Sequence, residues 1–332
     1  MKLLVNGTRC AALSLALGAA ALLASCGGGD PVVRFQPTRV LAFGDEYSVI
    51  TSAGRKYTVN ALLTDANGVK TINCDGNALW IQRLAADFGL VFPQCNPAGV
   101  VNPRSRIYAE AGDDVRKIKV ADLAAQITLH LQTDSFSATD LVTMFAGQND
   151  VLEQYALYDL APGVAGAGAA LATARERGLA LAAQVSLVAD RGGKVLVTTV
   201  PDLAYSPFAL AENARTGDST RGALLGELVA KFNEGLRLGL AKETGAEVAL
   251  MKADELVQGM AKFPTNYGGM TNVIAPVCDK ALAVTVDLCT TDTLVTGGDA
   301  NRYLWADDTH LSPNGHIYLG SLAITQARKN PF

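Results

Sequence analysis

Cationic charge is in short supply in this 332-residue sequence: 28 lysines and arginines face 32 aspartates and glutamates, a formal net charge of −4. With no basic surplus to gather a phosphate backbone, nucleic acid is not an expected partner. Histidine occurs only three times, and no two cysteines stand in CxxC spacing or beside a histidine. A structural metal centre is therefore not expected, and no motif calls for a cofactor. The chain also lacks an internal repeat and an internal linker. Its N-terminal apolar run, Ala11 to Ala24, is too short and too rich in small residues to read as a membrane span.

What is plentiful is apolar material. At 49% hydrophobic and 18% charged residues, the chain can bury a large core, at the upper end of size for one α/β domain. The run from Ala11 follows Lys2 and Arg9, the order of a signal peptide, and ends in Leu23-Ala24-Ser25-Cys26, which resembles a bacterial lipobox. That resemblance implies cleavage before Cys26 and lipid on its thiol. Residues 1–25 are then a lipoprotein signal, residues 26–31 the lipidated cysteine and a Gly27-Gly28-Gly29 tether, and residues 32–332 the folded domain. Glycine after Cys26 fits sorting to the outer membrane of a Gram-negative cell, so a cell-envelope protein held by a lipid anchor is expected. Cys74, Cys95, Cys278 and Cys289 remain. In an exported chain four cysteines suggest two disulfides, and the short separations favour Cys74 with Cys95 and Cys278 with Cys289 among three connectivities.

Strand and helix signals alternate along the chain. Short apolar runs at Val40–Phe43, Leu141–Ala146, Lys194–Val200 and Glu247–Met251 read as buried strands. Helical spacing of apolar residues predicts helices over 77–88, 115–131, 161–190, 224–240 and 315–326. The alternation implies a three-layer α/β/α sandwich around a parallel sheet, flavodoxin-like in arrangement, with chemistry at the strands' C-terminal ends. Residues 263–303 read as a loop-rich cap. His130 and His316 are expected on helix surfaces or at an interface. The acidic pairs Asp113-Asp114 and Asp307-Asp308 are expected in solvated turns, apart from Asp307.

Trp305-Ala306-Asp307-Asp308-Thr309-His310 carries an aspartate three residues before a histidine, a spacing that lets the carboxylate orient the imidazole as a general base. Phe43-Gly44-Asp45-Glu46-Tyr47-Ser48 follows the first strand, Tyr108-Ala109-Glu110-Ala111-Gly112 comes next, and Ala146-Gly147-Gln148-Asn149-Asp150 follows the second strand run. In this order the four segments resemble the blocks of the SGNH/GDSL family of ester hydrolases. The resemblance implies that Gly112 and Asn149 donate to an oxyanion hole, that Asp307 and His310 are the acid–base pair, and that an acyl-ester or lipid-like molecule is the ligand.

One position departs from the pattern. Where the family carries its nucleophilic serine, this sequence has Glu46. A carboxylate there can pair with His310 and reach the oxyanion donors, leaving ordinary serine chemistry without its hydroxyl. Three consequences stay open at this level. The chain has become a non-catalytic ligand-binding or surface module. Alternatively hydrolysis continues through Glu46 as nucleophile or base, or through Ser48, which two residues on should point away from the donors. In the third case Glu46, Asp307 and His310 hold zinc, although the DxxH spacing already accounts for His310.

Overall fold

The computed structural model describes residues 34–112, 117–241 and 247–329. The signal segment, Cys26, its tether and the Asp113-Asp114 pair lie outside the described residues. In chain order the strands are β1 (Arg39–Gly44), β2 (Ala61–Thr64), β3 (Lys70–Asn73), β4 (Arg106–Ile107), β5 (Asp140–Phe145), β6 (Lys194–Thr198), β7 (Val248–Met251), β8 (Asn272–Pro276) and β9 (Tyr303–Trp305). The helices are α1 (Trp80–Asp87), α2 (Leu123–Leu131), α3 (Gln148–Leu160), α4 (Val164–Ala189), α5 (Pro207–Thr216), α6 (Arg221–Leu240), α7 (Ala253–Lys262) and α8 (Pro313–Ala327).

Five strands form one sheet in the order β4-β1-β5-β6-β7, every pair parallel. All six residues of β1 and of β5 are buried, as expected for strands covered on both faces. Alternation does the sorting. Leu41 and Phe43 of β1 point into a core built with α2, α3, α4 and α6, whereas Val40 and Ala42 point into one built with α1, α7 and α8. These two cores are the spaces between three layers, the expected sandwich, and from Phe35 onward the chain forms one unit. Among the described residues no helix is long and apolar enough to cross a membrane.

Glycine sets one of the closest helix contacts. A Cβ on Gly178 of α4 would stand 1.9 Å from the Phe232 carbonyl oxygen of α6, and one on Gly235 of α6 would stand 2.0 Å from that of Arg175. The glycines that weaken α4 as an isolated helix thus bring it against α6.

Several elements differ from the sequence reading. α1 starts at Trp80 rather than 77, because Asn77 takes a left-handed backbone (φ 52°) and ends the preceding turn. α2 starts at Leu123, after a short 3-10 turn over Val120–Asp122. Helices α3, α5 and α7, the β2–β3 hairpin and the β8–β9 pair were not anticipated. His130 and His316 are wholly buried, which corrects their assignment to the surface. Helical spacing explains it: each lies three residues from a buried apolar residue on the inward face, His130 after Ile127 and His316 before Leu319. Burial, reinforced by the charge of Lys56, pushes His316 down to about 3, so it is neutral.

Both disulfides are present, Cys74 with Cys95 and Cys278 with Cys289. Residues 263–303 carry little regular structure, as expected. They are packed instead by a small core of Val277, Ala283, Val286 and Ala300 around the second disulfide. The buried ammonium of Lys56 donates to the carbonyls of Cys74 and Asn77, both at 2.9 Å, which fixes the loop entering α1.

Candidate active site

The C-terminal ends of β1 and β5 supply the first two pieces of the site. Gly44 closes β1 with φ 130°, and a Cβ there would lie 1.8 Å from the Phe145 carbonyl oxygen, so only glycine allows the turn. Asp45 then caps a 3-10 turn, Glu46–Ser48, its carboxylate accepting from the Tyr47 N–H at 3.2 Å. At the end of β5, Gly147 (φ 121°) leaves the space its Cβ would need to the Phe232 ring and starts α3. Asn149 therefore sits in the first turn of a helix, facing Glu46.

The third piece is the loop between β9 and α8. Asp307 accepts the backbone N–H groups of Thr309 (2.9 Å) and His310 (2.6 Å), and its other oxygen lies 2.9 Å from His310 Nδ1. Across the site, His310 Nε2 is 3.4 Å from Glu46 Oε1. Asn149 Nδ2 is 3.1 Å from each Glu46 carboxylate oxygen and 2.9 Å from the Ile118 carbonyl oxygen. The Tyr47 hydroxyl donates to the Thr309 carbonyl at 2.8 Å and ties the Glu46 turn to the histidine loop.

Glu46, Asp307, His310 and Asn149 thus meet as the sequence pattern predicts, and Gly112 lines the same cavity as Glu46 and His310. Ser48 does not join them. It is wholly buried, its hydroxyl has no hydrogen-bond partner among the described residues, and it lines neither cavity beside His310.

Charge is arranged sharply. Burial alone would push His310 down, but Asp307 on one side and Glu46 on the other raise it to about 10. Asp307 is correspondingly held at about 2: burial opposes this, and His310 outweighs it. Burial would raise Glu46 too, yet the His310 contact and the Asn149 amide lower it below the usual carboxylate range. Neighbouring Asp45, wholly buried beside Glu46, is pushed the other way, well above its ordinary value. His310 thus stands as an imidazolium between two carboxylates, with Asp45 buried behind Glu46.

This arrangement makes a direct prediction. A nitrogen-15 NMR titration should find His310 protonated through neutral pH, losing its proton only near pH 10. Because that value lies above the unfolded one, the stability it contributes is fully present below about pH 6.5 and is lost as pH rises through about 10. An ordinary histidine titration near neutrality would contradict the sandwiched geometry.

Two cavities adjoin the pair. One, of about 390 Å³, is lined by Tyr57, Gly112, Lys117 and Val284, and the other, of about 520 Å³, by Lys117, Asn149, Leu152 and Phe208. Glu46, Lys117, Asp307 and His310 line both. Tyr57, whose ring centre is 6.2 Å from that of His310, and Lys117 were not singled out from sequence, since no motif contains them. Among the described residues no group of three or more His, Cys, Asp or Glu is placed to hold a metal. In particular, both ring nitrogens of His310 already face carboxylates, so Glu46, Asp307 and His310 do not make the zinc set.

A family profile described as GDSL-like lipase/acylhydrolase matches residues 40–323, most of the chain and all four blocks. The chain belongs to that family. Among relatives, the phosphatidylcholine-sterol acyltransferase of Aeromonas hydrophila is 24% identical over 236 residues, 70% of this chain but only 63% of the relative's own length. Among solved structures, an extracellular lipase from Streptomyces rimosus aligns at 17% identity, covering 88% of this chain and 100% of its own, with a TM-score of 0.45. A lipase from a goat rumen metagenome aligns at 11% identity, covering 88% and 98%, also with a TM-score of 0.45. An acetyl xylan esterase from Geobacillus stearothermophilus aligns at 15% identity, covering 87% and 94%, with a TM-score of 0.33. What places this GDSL chain in its family is the profile match over residues 40–323.

Proposed function

We propose that this protein is an envelope lipoprotein that acts on acyl esters, with its resting site closed by Glu46 so that native turnover is weak. One observation carries the reading: the Glu46 carboxylate lies against both Asn149 Nδ2 and His310 Nε2. The groups that would hold an ester oxyanion and move its protons are in place, but a fixed anion occupies them.

The same geometry gives slow chemistry a route. Glu46 attacks the ester carbonyl carbon, the bond to the alcohol oxygen breaks, and the departing alkoxide takes the proton from His310. The acyl group is left as a mixed anhydride on Glu46. Neutral His310 then takes a proton from water, the hydroxide adds to the Glu46 carbonyl carbon of the anhydride, and the carboxylic acid leaves with one former Glu46 oxygen, so the restored Glu46 carboxylate carries one oxygen from water. His310, with Nδ1 held by Asp307 and Nε2 facing Glu46, is placed to give that first proton and to take the second. The route is slow because a carboxylate is a far weaker base than the alkoxide it displaces.

Single-turnover hydrolysis in heavy-oxygen water, followed by mass spectrometry of the peptide carrying Glu46, tests the route. Label in Glu46 is expected. Brisk native activity that survives Glu46→Ala and is lost with Ser48→Ala would overturn it.

The anchor belongs to the same proposal, supported by Leu23-Ala24-Ser25-Cys26 at the end of the apolar run. Metabolic labelling with fatty acid should mark the native protein and not the Cys26→Ala variant, which should remain uncleaved. Equal labelling of both would remove the lipoprotein reading, and with it the outer-membrane placement, without touching the site.

A further inference from the structure

We propose that a second cavity, at the opposite end of β1 from Glu46, binds a phosphate-type oxyanion between Arg104 and Arg106. Its volume is about 290 Å³, and it is lined by Arg39, Arg104, Arg106, Tyr108, Thr133 and Asp134. Arg39 is the first residue of β1 and Gly44 the last, so the cavity and the Glu46 site lie at the two ends of one strand.

The strand alternation of β4 and its flanks builds it. Arg104, Arg106 and Tyr108 fall on one side, whereas Ser105 and Ile107 fall on the other. The Ser105 hydroxyl accepts from the Val40 N–H at 3.0 Å, and Ile107 packs on the α1–α7–α8 core. Tyr108 is fixed at its ring by stacking on Phe43, 4.9 Å between centroids, and at its hydroxyl by His130 Nδ1 at 3.0 Å.

The charges do not cancel locally. Arg39 is answered by Asp140, at 2.7 and 2.9 Å, and by Asp134. Arg106 donates only to backbone carbonyls, and among the described residues neither Arg104 nor Arg106 has an acidic partner. Arginines on an edge strand also discourage pairing with another sheet. That task does not require them to line one cavity with Tyr108 and Thr133.

The lining specifies the ligand's class. Arg104, Arg106, Tyr108 and Thr133 bring two guanidinium groups and two hydroxyls to the lining of one space, a donor set that suits a tetrahedral group with three or four oxygens better than a planar carboxylate. No aliphatic side chain lines the space, so an acyl chain gains nothing there. Behind the cavity His130 is wholly buried, and its Nδ1 holds the Tyr108 hydroxyl in place at 3.0 Å. Inorganic phosphate and the phosphate head of a glycerolipid share this chemistry.

Isothermal titration of the whole mature protein in a nonionic detergent, at constant ionic strength, decides it. Inorganic phosphate and glycerol phosphate are the probes, and chloride is the control. Saturable phosphate binding is expected, weakened about tenfold or more by Arg104→Ala with Arg106→Ala and several-fold by Tyr108→Phe, which keeps the ring on Phe43. The exposed Arg191→Ala change should leave it unaltered. Tighter binding of glycerol phosphate assigns the site to a lipid head, and binding of inorganic phosphate alone assigns it to the free ion. No saturable binding by the native protein, or equal affinity in the double variant, would overturn the proposal. Ester hydrolysis is not the readout, so failure here leaves the Glu46 reading intact.

Discussion

Replacing Glu46 with serine is expected to raise the hydrolysis of short acyl esters on the order of 10³-fold, measured as kcat/KM beside the native protein. The gain has two sources. An acylatable hydroxyl enters at the position His310 faces, and the Asn149 amide, now bound to both carboxylate oxygens, is released to the substrate's developing oxyanion. Removing the carboxylate also removes one of the two anions that raise His310, so the imidazole becomes available as a base nearer neutrality. The serine oxygen stands closer to the backbone than the carboxylate it replaces, and the vacated space is where an ester carbonyl would enter. Unchanged activity in a folded variant would show that the His310 loop has settled too far from position 46 for a hydroxyl to use it.

The second large effect is a loss. In the Glu46→Ser background, Asn149→Ala is expected to lower kcat by roughly 10²- to 10³-fold with KM changed little, because the amide acts on charge that develops only in the transition state. The same substitution deletes the 2.9 Å bond to the Ile118 carbonyl, so a stability cost of about 1 to 2 kcal/mol accompanies it. Thermal unfolding measured alongside separates the two. A fall in activity no larger than the loss of folded protein would remove Asn149 from the oxyanion hole.

Much of this architecture was legible because β1 and β5 are buried on both faces and therefore appear as mainly apolar runs leading to a glycine, interrupted only by Thr143. The site was legible for a related reason. Its four segments sit immediately after strands or before α8, where turn geometry demands particular residues, and the juxtaposition of Glu46 with His310 follows from their order. α3 stayed hidden because its first turn buries Gln148, Asn149 and Asp150, polar residues turned inward, and so shows no apolar stripe. α5 carries a readable start in Ser206-Pro207, where the Ser206 hydroxyl does cap the helix, but two residues are too short a signal to announce it. The burial of His130 and His316 could not be read from composition, since the same spacing serves an inward or an outward face until the layers are assembled. Lys117 and Tyr57 reach the site from segments without a motif, placed there by tertiary packing alone.

If the chain acts on esters as proposed, the two cavities flanking His310 would divide the labour of selectivity. An ester has an acyl arm and an alcohol arm, and the cavities share only Glu46, Lys117, Asp307 and His310. One wall is the disulfide-closed loop carrying Val284 and Val286, and the other belongs to α3 and α5 through Leu152 and Phe208. Reshaping either wall therefore alters the fit of one half of a ligand while the other half and the reacting centre keep their surroundings. The fold offers two independent dials for redesign, where a single pocket would force every change of substrate through the same side chains.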